Sequence, residues 1–251
     1  MIDLHGHLLP GVDDGSRNVQ QSVRVLRTFA AKGITDVACT PHLLASKVEE
    51  GWPANYEAAW AALTAEVPEG ITLHRGAEVM LDRPMPAGVA ERKITLGGSR
   101  YVLVEFPRMV PAEIVARALA EVLRTGLVPI LAHPERYSSC SVDTVRAWRE
   151  LGAVIQVDAT TMTLPRSRGD RARDIVVAGL ADILGADNHG DERNVATALD
   201  WLSEHDGADQ AILLLETNPR AILDDKTPYE VDPLPMRTPI WRSVRRLFGS
   251  E

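Results

Sequence analysis

The chain has 251 residues, a formal net charge of −8 at pH 7, 45% hydrophobic residues and only 5% aromatic ones. This size and composition suit one large domain with an aliphatic core, and an acidic chain without a long basic run argues against a nucleic-acid partner. Two cysteines make no disulfide framework, and no apolar run reaches the ~20 residues of a membrane span. No signal peptide is expected. These features predict a cytoplasmic location.

The predicted elements alternate between strands and helices along the chain. A short apolar start leads into Asp3-Leu4-His5-Gly6-His7, which is read as the end of a first strand. Further strands are predicted over 36–40, 71–78, 101–106, 128–133, 153–157 and 182–187. Helices are predicted over 18–32, 56–67, 112–125, 142–151, 171–179, 195–204 and 208–217, and 79–93 is expected to be irregular. This alternation predicts a parallel sheet with helical crossovers, and the apolar strands indicate that both of its faces are covered.

Residues of metal-ligand type fall at the ends of these strands. His5 and His7 are two apart in an extended segment, so their imidazoles face the same way. The other strand-end residues of this type are His42, Glu78, Glu105, His133, Asp187 and His189. In a closed α/β barrel the carboxyl ends of the strands meet at one rim, where active sites lie. About seven strands are counted, which predicts an irregular seven-stranded barrel.

A rim of histidines and carboxylates can hold two or three metal ions. In a two-metal site the ions lie ~3.5–4 Å apart and clamp a developing oxyanion. Glu78 is the candidate bridge, because a carboxylate can join two cations and an imidazole cannot. The mixed donors without cysteine favour Mn, Fe or Zn over a structural zinc site.

Several motifs occur in an order that resembles a known family. They are Asp3-Leu4-His5-Gly6-His7 with Asp13-Asp14-Gly15, Thr40-Pro41-His42, Gly76-Ala77-Glu78, Glu105-Phe106-Pro107, His133-Pro134-Glu135-Arg136-Tyr137, Asp187-x-His189 and Asn218-Pro219. The chain is similar to the polymerase-and-histidinol-phosphatase (PHP) superfamily, and more closely to its bacterial capsule-associated tyrosine-phosphatase branch of the CpsB/YwqE type. The resemblance runs from Met1 to about Leu223.

The resemblance implies a distorted seven-stranded barrel, taken as one domain over 1–232, with a trinuclear metal site. It assigns His5, His7, Glu78 and Asp187 to one metal, Glu78, Glu105 and His133 to a second, and His42, His189 and either Asp13 or Asp14 to a third. Asp14 is preferred in the last set, with Asp13 available to cap the following helix.

The resemblance also implies phosphate-binding arginines. Arg136 would contact phosphate oxygens through its planar guanidinium; the alternative is a salt bridge with Glu135 at the rim. Arg193 is the candidate for a second such arginine, with a tighter spacing than the family usually shows. Asn188 is a further departure, since it stands where the family usually has alanine.

The function implied is hydrolysis of phosphotyrosine on a protein, with a polysaccharide-synthesis tyrosine kinase as the expected partner. The alternatives are a small-molecule phosphatase of the histidinol-phosphate kind, a nuclease, and a module that binds phosphotyrosine without turnover. A cysteine mechanism is not favoured, because the Cys140–Arg146 interval lacks the small residues that a phosphate-binding loop needs.

The C-terminal segment 233–251 reverses the local charge, with four arginines between apolar residues at helical spacing. We expect it to dock on the barrel. A contact between protomers and a weak, peripheral contact with an anionic membrane are the alternatives.

Overall fold

Nine strands and eight α-helices alternate in the part of the chain that the structure, a computed structural model, describes: residues 1–86 and 94–235. The strands are β1 (Ile2–Gly6), β2 (Asp36–Cys39), β3 (His42–Leu44), β4 (Thr72–Arg75), β5 (Glu78–Met80), β6 (Tyr101–Glu105), β7 (Val128–Ala132), β8 (Val154–Asp158) and β9 (Ile183–Gly185). The helices are α1 (Val19–Ala31), α2 (Tyr56–Thr64), α3 (Ala112–Arg124), α4 (Val142–Glu150), α5 (Ser167–Val177), α6 (Thr197–Glu204), α7 (Ala208–Ile212) and α8 (Asn218–Leu223).

The strands pair in parallel in two sheets, ordered β1-β2-β4 and β3-β5-β6-β7-β8-β9. β3 continues β2 after a two-residue break, and β5 continues β4 in the same way, so the nine strands occupy seven positions. A parallel bridge between Gly6 and Asn188 joins the two ends of this series, beside β1 and β9. The predicted distorted seven-stranded barrel is confirmed.

Both faces of the barrel wall are buried, as β6 shows. Tyr101 and Leu103 belong to the inner apolar cluster, whereas Val102 and Val104 belong to the cluster beneath the helices. Successive side chains of a strand point to opposite faces, so this alternation places the first pair inside the barrel. Glu105 continues the inner series at the carboxyl end of the strand, which aims it at the rim.

The helices cover the barrel with one apolar face each. In α3 the buried residues Val115, Leu119 and Val122 recur at helical spacing. Burying a side chain of this kind stabilises the fold by roughly 1.5–3 kcal/mol. Helix α1 starts where predicted, because the Asn18 side chain accepts a hydrogen bond from the Gln21 backbone N–H, and it ends before Gly33, whose φ is 77°.

The structure differs from the predicted elements in three places. His42, expected to follow the second strand, begins a further short strand, β3. The strand predicted over 71–78 is broken at Gly76, where a Cβ atom would lie 2.6 Å from Leu96 Cδ2. The chain bends there, and Glu78 therefore begins β5 instead of ending a strand. Helix α5 begins at Ser167, four residues before the predicted start. The prediction missed its first turn because that turn is polar and shows no apolar periodicity.

The predicted docking of the C-terminal segment falls mostly on residues 236–251, which lie outside the described residues. Before them, Leu234 is buried and its backbone N–H donates to Val177 O at 3.0 Å. Among the residues described, none of the helices is long and apolar enough to cross a membrane.

Candidate metal centre

All the predicted ligand-type residues meet at the carboxyl ends of the strands. They are His5, His7, Asp13, Asp14, His42, Glu78, Glu105, His133, Asp187 and His189. The register of β1 shifts between Asp3 and Gly6, the segment that carries His5. Such a bulge re-aims a side chain and is common beside active sites.

One group of four residues lies at the bottom of the rim. His5 Nε2 is 3.3 Å from both Glu78 Oε2 and Asp187 Oδ1, and His7 Nε2 is 3.3 Å and 3.1 Å from the same two atoms. All four side chains are almost fully buried. The four therefore present two imidazoles and two carboxylates to one point, which is the first ligand set that the resemblance implied.

A second group shares Glu78 with the first. His42 Nδ1 is 3.1 Å from Glu78 Oε2 and 3.2 Å from Glu105 Oε1. His133 Nε2 lies on the other Glu78 oxygen, at 2.8 Å from Oε1, and is 3.9 Å from Glu105 Oε2. The residues implied for this set are all present, and His42, which the resemblance assigns to the third set, lies beside them.

The third group separates the roles of the two adjacent aspartates. Asp14 Oδ1 is 3.5 Å from His42 Nε2 and 3.4 Å from His189 Nε2. Asp13 instead places Oδ2 at 2.7 Å from His7 Nδ1. The geometry favours Asp14 as the ligand, with Asp13 orienting His7. The helix-capping role expected for Asp13 is wrong, because Asn18 caps α1.

The donor atoms of these groups fit metal ions better than they fit one another. His5 Nε2 and His7 Nε2 face each other at 3.3 Å. Glu78 Oε2 accepts no hydrogen bond from any described residue, although it is buried and lies 3.1–3.3 Å from three imidazole nitrogens. A buried carboxylate oxygen without a donor is costly, and a cation between these atoms would satisfy all of them.

The same crowding shifts the pKa values of the ligands. Burial opposes charge on these side chains, but the neighbouring carboxylates Glu105 and Glu78 raise the pKa of His42 to about 10. Despite burial, the pKa of Glu78 lies well below its usual range, because it faces His5, His133 and His42. Since protons and metal ions compete for the same imidazole nitrogens, a metal ion bound at this rim would displace protons.

Two rim residues hold unusual backbone angles. His133 has φ = 35° and Asp187 has φ = 48°, in the left-handed region that residues other than glycine seldom adopt. Each such residue costs roughly 1–3 kcal/mol and is typical of functional sites. The strain turns both side chains toward the centre directly after β7 and β9.

Sequence reasoning missed two polar residues that support this site. Gln156 Oε1 lies 2.9 Å from His5 Nδ1, which leaves His5 Nε2 facing the cluster. Asp158 accepts hydrogen bonds from Arg136, Thr160 and Thr161. Both residues alternate with apolar ones in β8, and this polar alternation in a buried strand was the available signal.

Both predicted arginines reach the rim at Asp187. Arg136 Nη2 donates to Asp187 Oδ2 and, at 2.9 Å, to Asp158 Oδ2. The alternative of a rim salt bridge with Glu135 does not hold: Glu135 is fully buried, and burial raises its pKa to about 8. Arg193 Nη1 is 3.6 Å from Asp187 Oδ2, while its Nε binds Asp191.

The loop that carries Arg193 is held by Asn188, the residue that departs from the family pattern. The buried Asn188 amide accepts a hydrogen bond from Gly190 N at 2.8 Å and donates to Asp191 O and Arg193 O. This one side chain thus closes the short loop and keeps Arg193 beside Asp187.

The cysteine mechanism finds no support in the geometry. Cys140 is 9% exposed, and burial raises the pKa of its thiol to about 12. Arg146 pairs with Asp143 on the surface of α4. A nucleophilic cysteine needs a lowered pKa and partial exposure, and Cys140 has neither.

The parallel barrel and its rim of histidines and carboxylates define a barrel protein of the PHP type. The chain belongs to the family described as "Capsular polysaccharide synthesis, CpsB/CapC", which matches residues 1–224. It is 27% identical to the tyrosine-protein phosphatase CpsB of Streptococcus pneumoniae, over 90% of this chain and 99% of that protein. It is also 27% identical to the tyrosine-protein phosphatase YwqE of Bacillus subtilis, over 99% of each chain.

Solved structures agree with the fold. One from the study of YwqE of Bacillus subtilis and CpsB of Streptococcus pneumoniae, described as unique metal-dependent tyrosine phosphatases, superposes with a TM-score of 0.77 at 22% identity. It covers 94% of this chain and 100% of its own. A phosphotriesterase from Mycobacterium tuberculosis superposes with a TM-score of 0.60 at 12% identity, covering 91% of this chain and 95% of its own.

Proposed function

We propose that this chain is a metal-dependent phosphatase that hydrolyses phosphotyrosine on proteins. The observation that carries the proposal is the buried Glu78, shared by two groups of metal-type ligands, with Arg136 beside them. Relatives that align over nearly the whole chain are named tyrosine-protein phosphatases, which supports the same activity here.

The metal centre is proposed to hold two or three ions of Mn, Fe or Zn. The proposed sets are His5, His7, Glu78 and Asp187 for one ion, Glu78, Glu105 and His133 for a second, and Asp14, His42 and His189 for a third. Ions held there would supply Lewis acidity to a phosphoryl oxygen and to a water molecule.

The protein's own groups bind and orient the phosphate. Arg136 is held at the rim by Asp158, where its guanidinium would contact phosphate oxygens. Its pKa is raised, because the neighbouring carboxylates Asp187 and Asp158 outweigh burial, and the group keeps its positive charge. Arg193 would contact the phosphate from the opposite loop. Gln156 and Asp13 hold His5 and His7 in place.

The shape of the rim favours a protein substrate over a small molecule. The Asp14 side chain is 71% exposed and that of His42 38% exposed, so the site opens directly to solvent. Beside His42 a shallow depression of about 380 Å³ is lined by Leu43, Leu44 and Met80. These apolar groups could pack against a phenyl ring. A phosphatase of the histidinol-phosphate kind would be expected to enclose its substrate in a narrower pocket.

A tyrosine kinase of polysaccharide synthesis is the proposed partner, as the family description and the relatives' names indicate. The proposed location is the cytoplasm, since Cys39 and Cys140 are both free. We propose residues 1–232 as one barrel domain, no nucleic-acid partner, and at most peripheral contact with a membrane.

The test compares turnover by the metal-loaded protein on a phosphotyrosyl peptide and on histidinol phosphate. We expect kcat/KM to be at least about a hundredfold higher on the peptide, because only an aromatic ester can use both the apolar depression and the open rim. A preference for histidinol phosphate would favour the small-molecule alternative. Binding of the peptide without any turnover would favour the binding module.

A further inference from the structure

Two arginines beside the proposed phosphate site have no acidic partner among the residues that the structure describes. Arg108 lies in the loop after β6, and Arg168 lies in the first turn of α5. Neither side chain forms an ion pair or a hydrogen bond with any residue in 1–86 or 94–235. In a chain with a net charge of −8, two unpaired cations next to the rim call for an explanation.

Two sets of hydrogen bonds bring the segments of these two arginines next to the segment that carries Arg136. The Ser138 backbone N–H donates to Arg108 O at 2.8 Å, which ties the β6 loop to the segment that carries Arg136. In the second set, Arg171 donates to Glu135 O through Nε at 2.9 Å and Nη2 at 2.6 Å. Arg168 is one helical turn before Arg171, on the same face of α5.

The electrostatics agree with this placement. Partial burial and the positive charges of Arg108, Arg136 and Arg171 lower the pKa of Arg168 below its ordinary value. The lowered pKa reflects partial burial first and then repulsion between cations, which Glu135 offsets only in part. Arranged like this, cations create a positive potential that attracts an anion.

The surrounding surface is suited to contact a peptide. Met109, next to Arg108, is 80% exposed, and Leu164, in the loop before α5, is 46% exposed. Arg108 is exposed and Arg168 is half-buried. Each arginine therefore has one exposed apolar side chain near it in the chain.

We propose that Arg108 and Arg168 form a second anion-binding site, which recognises an acidic group on the substrate peptide near the phosphotyrosine. The acidic group is a carboxylate or a second phosphate. This inference rests on the proposed function, because it assumes that Arg136 binds the phosphate that is removed. The site would select acidic or multiply phosphorylated segments without taking part in hydrolysis.

The experiment uses three phosphotyrosyl peptides of equal length on the metal-loaded full chain. One has neutral neighbours, one has glutamates, and one has a second phosphotyrosine. We expect the wild type to show kcat/KM about fivefold to tenfold higher on the acidic peptides than on the neutral one, the range for two partly exposed charge contacts. The difference should vanish near 1 M salt, where the Debye length is about 3 Å.

The double variant Arg108→Ala/Arg168→Ala should lose this preference and keep its kcat/KM on the neutral peptide. Arg117→Ala/Arg124→Ala removes the same charge from exposed positions on α3 and should keep the preference. If only the doubly phosphorylated peptide is preferred, the site is selective for phosphate. If the glutamate peptide is preferred as well, the site binds any acidic group.

Three results would overturn the second site: equal turnover of all three peptides by the wild type, equal loss on all peptides in the Arg108/Arg168 variant, or the same loss in the α3 control. Failure of the proposed function looks different, since the wild type would then turn over none of the peptides.

Discussion

Glu78→Gln is expected to lower kcat/KM on a phosphotyrosyl peptide at least about a hundredfold, since losing even an outer-shell partner of a metal costs about 10–100-fold. Glu78 Oε2 lies within 3.3 Å of nitrogens of His5, His7 and His42. Glutamine keeps the shape of the side chain but removes the negative charge that the two ligand groups share. Metal content, measured by elemental analysis, should fall together with activity.

The matched control is Glu113→Gln, an exposed residue in the first turn of α3. It makes the same chemical change outside the ligand groups and should leave activity and metal content as in the wild type. Circular dichroism on both variants separates loss of the site from loss of the fold. A mild effect of Glu78→Gln in a folded protein would mean that the bridging ligand lies elsewhere.

Arg136→Lys should lower kcat/KM by about tenfold to a hundredfold and leave the metal content unchanged. Lysine keeps the positive charge but loses the planar fork that contacts two phosphate oxygens at once; removing one donor to a transition-state oxyanion costs about 10²–10³-fold. The measurement is steady-state kinetics together with elemental analysis of the same preparation. Arg146→Lys, on an exposed arginine paired with Asp143, is the control.

The alternative role for Arg136 is to support a metal ligand. Its guanidinium contacts Asp187, a member of the first ligand group, and Asp158. If Arg136→Lys loses metal in proportion to activity, the arginine supports Asp187 and does not bind the substrate.

The position of the site could be predicted from the sequence because strand geometry fixes it. Residues at the carboxyl ends of parallel strands meet whatever the loops do, so Glu105 and His133 needed only correct strand assignments. His42 needed only the end of β2, which it follows after two residues. The His5 and His7 pair followed from the two-residue period of an extended chain.

Other features depend on contacts between distant segments and could not be predicted. At the break, Gly76 leaves room for Leu96, which lies twenty residues later in the chain. The choice between Asp13 and Asp14 depends on how a loop folds back onto His7 and His42. The supporting role of Gln156 appears only when the barrel brings β8 within hydrogen-bond distance of His5.

The measurement that tests the metal mechanism most directly is phosphotyrosine turnover by protein stripped of metal with a chelator. We expect the stripped protein, verified as metal-free by elemental analysis, to lose almost all activity, because its buried carboxylates and imidazoles then hold only protons. Adding Mn²⁺ should restore turnover, with two or three ions bound per chain. Full activity in the verified metal-free protein would contradict a metal-dependent mechanism.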